Sequence, residues 1–423
     1  MNFLLKIRYL KNNETIINGS LFSLFSFINR GFSFLLLLIL ANYILPAEYG
    51  YLNLFGTVVM LVGYFIALST EGYLSVSFFR ENFDALKQTF SCILYTGIVV
   101  AIIVLALLLA FGHSISTKLD LPLQSLFYAI GISFCTIISN IFLDYQRLKK
   151  RVWIYGLFSC GNALLNFIIS IYFVKFLIWG WEGRVYAQFT CCVLFGIMGL
   201  LFFLKKRFFV FPNINHWKMM LLWAIPLIPH LATTFIRQGC DRYIINYYHT
   251  INDVGLFSFS LTLANIIIMI GIGFNQSNSV DIYSVLGNEK ISAVEKKAKL
   301  KRQRKNIFII YLLSAILVTI VCVVLIPIVL PKYSLSMKYF PLLAIYAFFN
   351  CLYFLYTNFL FFYKKTKNLM AITFGSSLFH LIMSLLLTQY SLYYTCGVYI
   401  ASQFMICIIV RRQMNNLLKE YCK

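Results

Sequence analysis

Arg30 stands inside an apolar run, with Asn29 before it and Gly31-Phe32-Ser33-Phe34-Leu35-Leu36-Leu37-Leu38-Ile39-Leu40 after it. An arginine at mid-depth of a membrane-crossing helix costs about 2.5–3.5 kcal/mol on insertion scales, so it is expected to turn toward a polar interior. There its planar fork suits the oxygens of a phosphate or a carboxylate. The competing account is a structural pair with an acid or with helix carbonyls. Arg237, Asp241 and Arg242 form a second group within an apolar stretch. Spacings of four and five bring Arg237 near both partners, so Asp241 is expected either to neutralise an arginine within the helix or to take part in charge coupling. The two arginines are candidates for anion binding or for snorkelling to headgroups.

Glu71 and Arg80 bracket the end of another apolar stretch. Arg80 is placed to meet an incoming anion and Glu71 to pair or couple charge; solvated loop charges are the plainer account of both. His230 follows Pro229, and His380 lies in a later apolar run. Histidine titrates near neutral pH, so either can carry a proton, against the plainer account of a satisfied buried ring. Pro226 and Pro229 remove backbone donors and kink a helix, which frees carbonyls to line a cavity. A working bend and a static kink fit them equally. The eleven cysteines are scattered without a CxxC or Cys/His ligand spacing, so no metal and no cofactor is expected.

What positions these residues follows from composition. Of 423 residues, 61% are hydrophobic and 12% charged, with a mean hydropathy of +0.81, against roughly 25% charged in an ordinary soluble domain. Such a chain has too little polar surface for a soluble globule. Its apolar runs repeatedly reach the roughly 20 residues that a membrane-crossing helix needs, and the expected fold class is an all-α integral membrane protein. Apolar windows fall at about 15–43, 51–70, 88–111, 122–143, 152–174, 183–204, 219–240, 254–275, 306–330, 339–362, 369–388 and 394–410. That is two sets of six, which suggests halves at 1–210 and 211–423.

The net charge of +22 sits between the windows. That is the pattern of membrane topology; without a basic-aromatic module, nucleic-acid binding is excluded. With the N-terminus inside, the cytoplasmic segments hold 28 Lys and Arg, the outer segments 7, and Arg30 lies within a span. The positive-inside rule then puts both termini in the cytoplasm. Met1–Asn18, with Lys6, Arg8 and Lys11, lacks a small-residue cleavage site and reads as an amphipathic lead-in on the membrane surface. The basic stretch from Asp281 to Asn306 reads as an anchor attracted to anionic membrane lipids.

A shift of 205 residues lays Tyr43 on Tyr248, Glu48 on Asp253, Gly50 on Gly255, Tyr51-Leu52 on Leu256-Phe257 and Thr57 on Thr262. Acid-x-Gly-apolar thus opens the second helix of each set of six. Repeats of this kind are typical of secondary transporters, whose substrate path lies between the halves.

Three runs carry a family resemblance: Pro226-Leu227-Ile228-Pro229, Asp241-Arg242-Tyr243-Ile244-Ile245 and Asp253-Val254-Gly255-Leu256-Phe257-Ser258. Together they resemble a hallmark of polysaccharide transporters in the multidrug/oligosaccharidyl-lipid/polysaccharide (MOP) exporter superfamily. Leu45-Pro46-Ala47-Glu48-Tyr49-Gly50-Tyr51 is similar to that family's first outer loop, and Ser77-Phe78-Phe79-Arg80 falls where members carry an arginine. One departure is that Asn275 to Asp281 runs on without the proline that members often have there.

The resemblance implies a MATE-like pair of pseudo-symmetric six-helix bundles. It also implies a Wzx-type flippase, not an enzyme, that moves an undecaprenyl-diphosphate-linked oligosaccharide across a bacterial inner membrane. Polysaccharide polymerase and chain-length proteins would be its further partners. On that reading Arg30, Arg80, Arg237 and Arg242 serve the diphosphate and glycan, Glu71, Asp241 and His230 serve charge pairing or coupling, and Pro226 and Pro229 serve bending. The alternatives are a drug/cation antiporter of the same superfamily, expected to keep in-membrane acids, and a polymerase or transferase. The chain has 14 acids and no DxD cluster for the metal-diphosphate chemistry of the latter.

Overall fold

The structure, a computed structural model, describes residues 14–288 and 291–421, with side chains except those of 14–20, 229, 230 and 421. The basic lead-in with Lys6, Arg8 and Lys11, and Lys290 in the later basic stretch, lie outside the described residues. Every regular element described is helical. The order is α1 (Glu14–Leu40), α2 (Pro46–Ala67), α3 (Glu71–Arg80), α4 (Phe83–Leu119), α5 (Leu123–Leu148), α6 (Val152–Ile171) and α7 (Gly180–Lys205). After it come α8 (Ile214–Ala224), α9 (Ile228–Phe235), α10 (Asp241–Tyr248), α11 (Ile251–Gly287), α12 (Ala293–Val329), α13 (Phe340–Phe362), α14 (Thr366–Leu387) and α15 (Leu392–Tyr421).

Among the described residues 11 helices are long and apolar enough to cross a membrane, and up to 12 if the broken pair 214–227 and 231–248 is one span. This is a multi-pass membrane protein, and the helices have a simple cause. Hydrocarbon offers no partner to a backbone N–H or C=O, so each crossing segment must satisfy its own.

Four of the helices, α4, α8, α11 and α12, start where a side chain accepts from their free N–H groups. Asn82 accepts from the Ala85 N–H at 2.9 Å, Asn213 from those of Asn215 and His216, and Ser292 from that of Glu295 at 3.3 Å. Thr250 and Asp253 cap reciprocally: the Asp253 N–H donates to Thr250 Oγ1 and the Thr250 N–H to Asp253 Oδ2. Thr250→Ala is expected to cost about 1 kcal/mol, read as a lowered melting temperature of the purified protein in detergent.

The basic stretch from Asp281 to Asn306, which the sequence places between two spans, is mostly helical. α11 runs through Asp281 to Gly287, and α12 begins at Ala293 and takes in Lys296 to Lys305. At 37 residues each and 1.5 Å per residue, they reach roughly 55 Å, well beyond a hydrocarbon core of about 30 Å. Lys, Arg and Glu are good helix formers, and Glu295 and Lys299 pair across one turn at 2.8 Å. Polarity marks where the helix leaves the membrane, not where it ends.

The chain divides into two compact units. Unit 1 is Met1–Ile44 with Leu54–Leu231, and unit 2 is Leu45–Asn53 with Ala232–Lys423. In unit 1, α1 packs on α6 and α5 on α7, around a buried aromatic core in which Phe90 and Phe203 lie 4.2 Å apart. In unit 2, α13 lies against both α11 and α15.

The acid-x-Gly repeat meets itself inside unit 2. Glu48 accepts the Leu45 N–H at 2.8 Å, as Asp253 does that of Thr250 at 3.2 Å, so each acid caps its own helix. The two glycines then face one another's backbone. A Cβ on Gly50 would stand 2.2 Å from the Ile251 carbonyl oxygen, and one on Gly255 would stand 1.7 Å from that of Pro46. Each glycine therefore meets the carbonyl four residues before the other. Tyr49 is buried beside this crossing, 3.0 Å from Thr262 Oγ1 and edge-on to Tyr333. Tyr333 lies in the 3-10 turn Pro331–Lys338 outside the spans, where burial pushes its phenol well up.

Candidate functional site

α14 carries a line of Ser376, Ser377, His380 and Ser384 at helical spacing, continued by Thr388 at its C-terminal end, all buried. The line faces Asp241, the first residue of α10. Asp241 and His380 are each 1% exposed, and His380 Nε2 lies 2.8 Å from Asp241 Oδ2. Ser384 donates to the other carboxylate oxygen. His380 Nδ1 is 3.0 Å from Ser402 Oγ, whose hydroxyl has the Tyr399 carbonyl as acceptor at 3.2 Å. Both ring nitrogens of His380 are therefore engaged, Nε2 by the carboxylate and Nδ1 by a hydroxyl that also reaches the Tyr399 carbonyl.

The order Asp–His–Ser is that of a hydrolase relay, but both serines are buried, at 0% and 1% exposure. No substrate carbonyl reaches them. Asp241→Asn leaves the ring without its carboxylate and should cost about 1–3 kcal/mol, measured as a loss of thermal stability in detergent.

The arginines of unit 2 are not the partners of Asp241. Arg237 donates to Gln403 Oε1, and Arg242 to the Gln238 carbonyl and to Ser258 Oγ at 3.4 Å. The expected pairing at a spacing of four fails for a local reason. Ile236–Cys240 is a π-helical turn, which inserts a residue into the α register and rotates Arg237 off the Asp241 face.

In unit 1, Arg30 is exposed and makes no hydrogen bond or ion pair with a described residue. Its neighbour Asn29 reaches α6, donating to Ser159 Oγ at 2.8 Å. Glu71 and Arg80 are not brought together. They are the first and last residues of α3, a helix of 10 residues, and so lie roughly 13 Å apart along its axis. Asn140 donates to Glu71 at 3.5 Å, and Arg80 is exposed. Two left-handed residues, Leu68 (φ 45°) and Ser69 (φ 60°), separate α3 from α2.

Pro226 is exposed in a 3-10 turn, Ile225–Leu227, where its missing N–H ends the α pattern. Pro229 and His230 lie in α9, their side chains outside the described residues. One residue escaped the sequence expectations: Arg184, counted there with the outer-segment charges, lies within α7 and hydrogen-bonds Asn166 and Ser170.

Comparison with known proteins gives the fold. No family profile matches the chain. A protein of the Lsg locus of Haemophilus influenzae is 22% identical over 343 residues, 79% of this chain and 81% of that protein. An inward-facing multidrug resistance MATE family transporter of the MOP superfamily superposes with a TM-score of 0.71 at 12% identity, covering 90% of this chain and 93% of that one. The lipid II flippase MurJ, in an inward closed conformation, also gives 0.71 at 14% identity, covering 94% and 87%. An outward-facing MATE structure gives 0.59, at 12% identity and 98% of each chain. The chain has the fold of MATE and MurJ transporters.

Proposed function

We propose that the protein is a flippase that carries an undecaprenyl-diphosphate-linked oligosaccharide, an O-antigen or capsule repeat unit, from the cytoplasmic to the periplasmic leaflet of a bacterial inner membrane. It works by alternating access of two six-helix halves, residues 1–210 and 211–423, with both termini cytoplasmic. The observation that carries this reading is that Arg30, Arg184, Arg237 and Arg242, all in membrane-spanning helices, have no carboxylate partner among the described residues. Charge at that depth is costly and marks substrate paths. Four cations without a carboxylate partner favour an anionic cargo, and a diphosphate offers oxygens in the geometry an arginine fork takes up.

A drug/cation antiporter on the same fold would need an in-membrane acid open to its cargo. Asp241 is already held by His380, which weighs against that alternative. The buried pair of a carboxylate and an imidazole instead suits charge coupling within unit 2. Polysaccharide polymerase and chain-length proteins, which would take up the delivered repeat unit, are the partners this role implies.

The test is leaflet transfer in proteoliposomes, with three probes: a fluorescent lipid-diphosphate oligosaccharide, a lipid-linked glycan without phosphate, and a fluorescent organic cation. Transfer of the diphosphate alone is the expected result. Movement of the cation without the diphosphate would replace the flippase with an antiporter.

A further inference from the structure

α6 carries a polar line through an otherwise apolar helix. Ser159, Asn162, Asn166 and Ser170 follow at spacings of three and four, so they share one face over about 16 Å of axis. Neighbouring helices hold both ends of the line. Asn29 of α1 donates to Ser159 Oγ at 2.8 Å. Arg184 of α7 donates through Nη1 to Asn166 Oδ1 at 2.6 Å and to Ser170 Oγ at 3.2 Å, while Ser170 itself donates to Asn166 at 3.1 Å.

Two groups on this line are left wanting, and they want opposite things. A guanidinium has five N–H donors, and Arg184 spends only Nη1, on neutral acceptors, with no carboxylate among the described residues. Its remaining donors call for an oxyanion. One turn further along, Asn162 Oδ1 is buried and has no hydrogen-bond partner among the described residues. It calls for a donor such as a hydroxyl. Asn162 and the midpoint of the Arg184 contacts, between Asn166 and Ser170, lie roughly 9 Å apart along the helix. A free anion cannot satisfy both; an anion joined to a hydroxylated group can.

We propose that the α6 line with Arg184 is a binding site for the diphosphate-linked glycan within unit 1. Arg184 binds a phosphate oxygen and Asn162 accepts from a sugar hydroxyl. This rests on the flippase reading and adds to it a second anion station, nearer the outer end of the spans than Arg30. An anionic phospholipid headgroup offers the same phosphate chemistry, so the experiment separates the two sources.

Binding is measured on the full-length protein in detergent by tryptophan fluorescence. The probes are a short-prenyl diphosphate disaccharide, the same prenyl diphosphate without sugar, and phosphatidylglycerol. Arg184→Gln is expected to weaken both diphosphates about tenfold or more, the scale of losing a charge-assisted hydrogen bond. Arg184→Lys, which keeps the charge but not the fork, should fall between. Asn162→Leu should weaken the disaccharide severalfold and leave the sugar-free diphosphate unchanged. Phosphatidylglycerol should bind all variants alike; if it alone responds to Arg184, the site is a lipid headgroup site and the proposal is overturned.

Wild-type protein that binds neither diphosphate, or unchanged affinity in Arg184→Gln, also overturns it. Where Arg184→Gln does not fold, unchanged affinity in Arg184→Lys does the same. Binding through Arg184 with no leaflet transfer would leave this site standing and end the transport reading.

Discussion

Gly255→Ala is expected to leave little folded protein, with a fall in monodisperse yield of about tenfold or more. The added methyl would lie 1.7 Å from the Pro46 oxygen, 2.6 Å from the Pro46 carbon and 3.1 Å from the Gly50 nitrogen. All three are backbone atoms of α2, so no rotamer change can make room. Overpacking a core with flexible neighbours costs about 1–3 kcal/mol; here the two helix starts themselves must separate. Gly50→Ala should be nearly as damaging, its Cβ meeting the Ile251 oxygen at 2.2 Å. The control is Gly273→Ala in the same helix, where nothing lies within 4 Å and alanine gains up to about 1 kcal/mol of helix propensity. Size-exclusion profiles and melting curves of the three variants decide the matter. A Gly255→Ala protein that elutes and melts like wild type would mean the helices do not cross at these glycines.

That crossing shows what a sequence exposes and what it hides. The spans are legible because hydrocarbon imposes one rule on every crossing segment, and a run such as Phe34 to Leu40 obeys it visibly. The repeat is legible too, since Glu48-Tyr49-Gly50 and Asp253-Val254-Gly255 open corresponding helices. Its physical content is not: that the acids cap and the glycines interlock depends on two segments about 200 residues apart meeting in space.

The same divide runs through the candidate site. Arg30, Arg237, Asp241 and Arg242 stand out as charges in apolar runs, but their partners do not. Asp241 takes His380 from 139 residues away, and a π turn cancels the local alternative. Arg184 is masked because it stands one residue inside the edge of the window at 183–204, where a charge reads as part of the outer segment, although α7 already starts at Gly180. The signal that would have found both clusters is a polar line at helical period within an apolar helix, as on α6 and α14.

Arg30→Ala should abolish most leaflet transfer, by tenfold or more, while leaving protein level and melting temperature unchanged. The two halves of that expectation have separate causes. Arg30 makes no hydrogen bond or ion pair with a described residue, so truncating it breaks nothing in the fold and relieves the cost of a charge at depth. A diphosphate that binds it would lose a charge-assisted contact, commonly about 1.5–3 kcal/mol, which is a factor of about 10 to 150. Arg237→Ala provides the contrast, because it also removes the contact to Gln403 and should lower stability together with transfer. Arg30→Lys should retain part of the rate if charge suffices and little if the fork is needed. Transfer in Arg30→Ala at the wild-type rate would take this residue out of the proposed mechanism and leave Arg184, Arg237 and Arg242 as the remaining candidates.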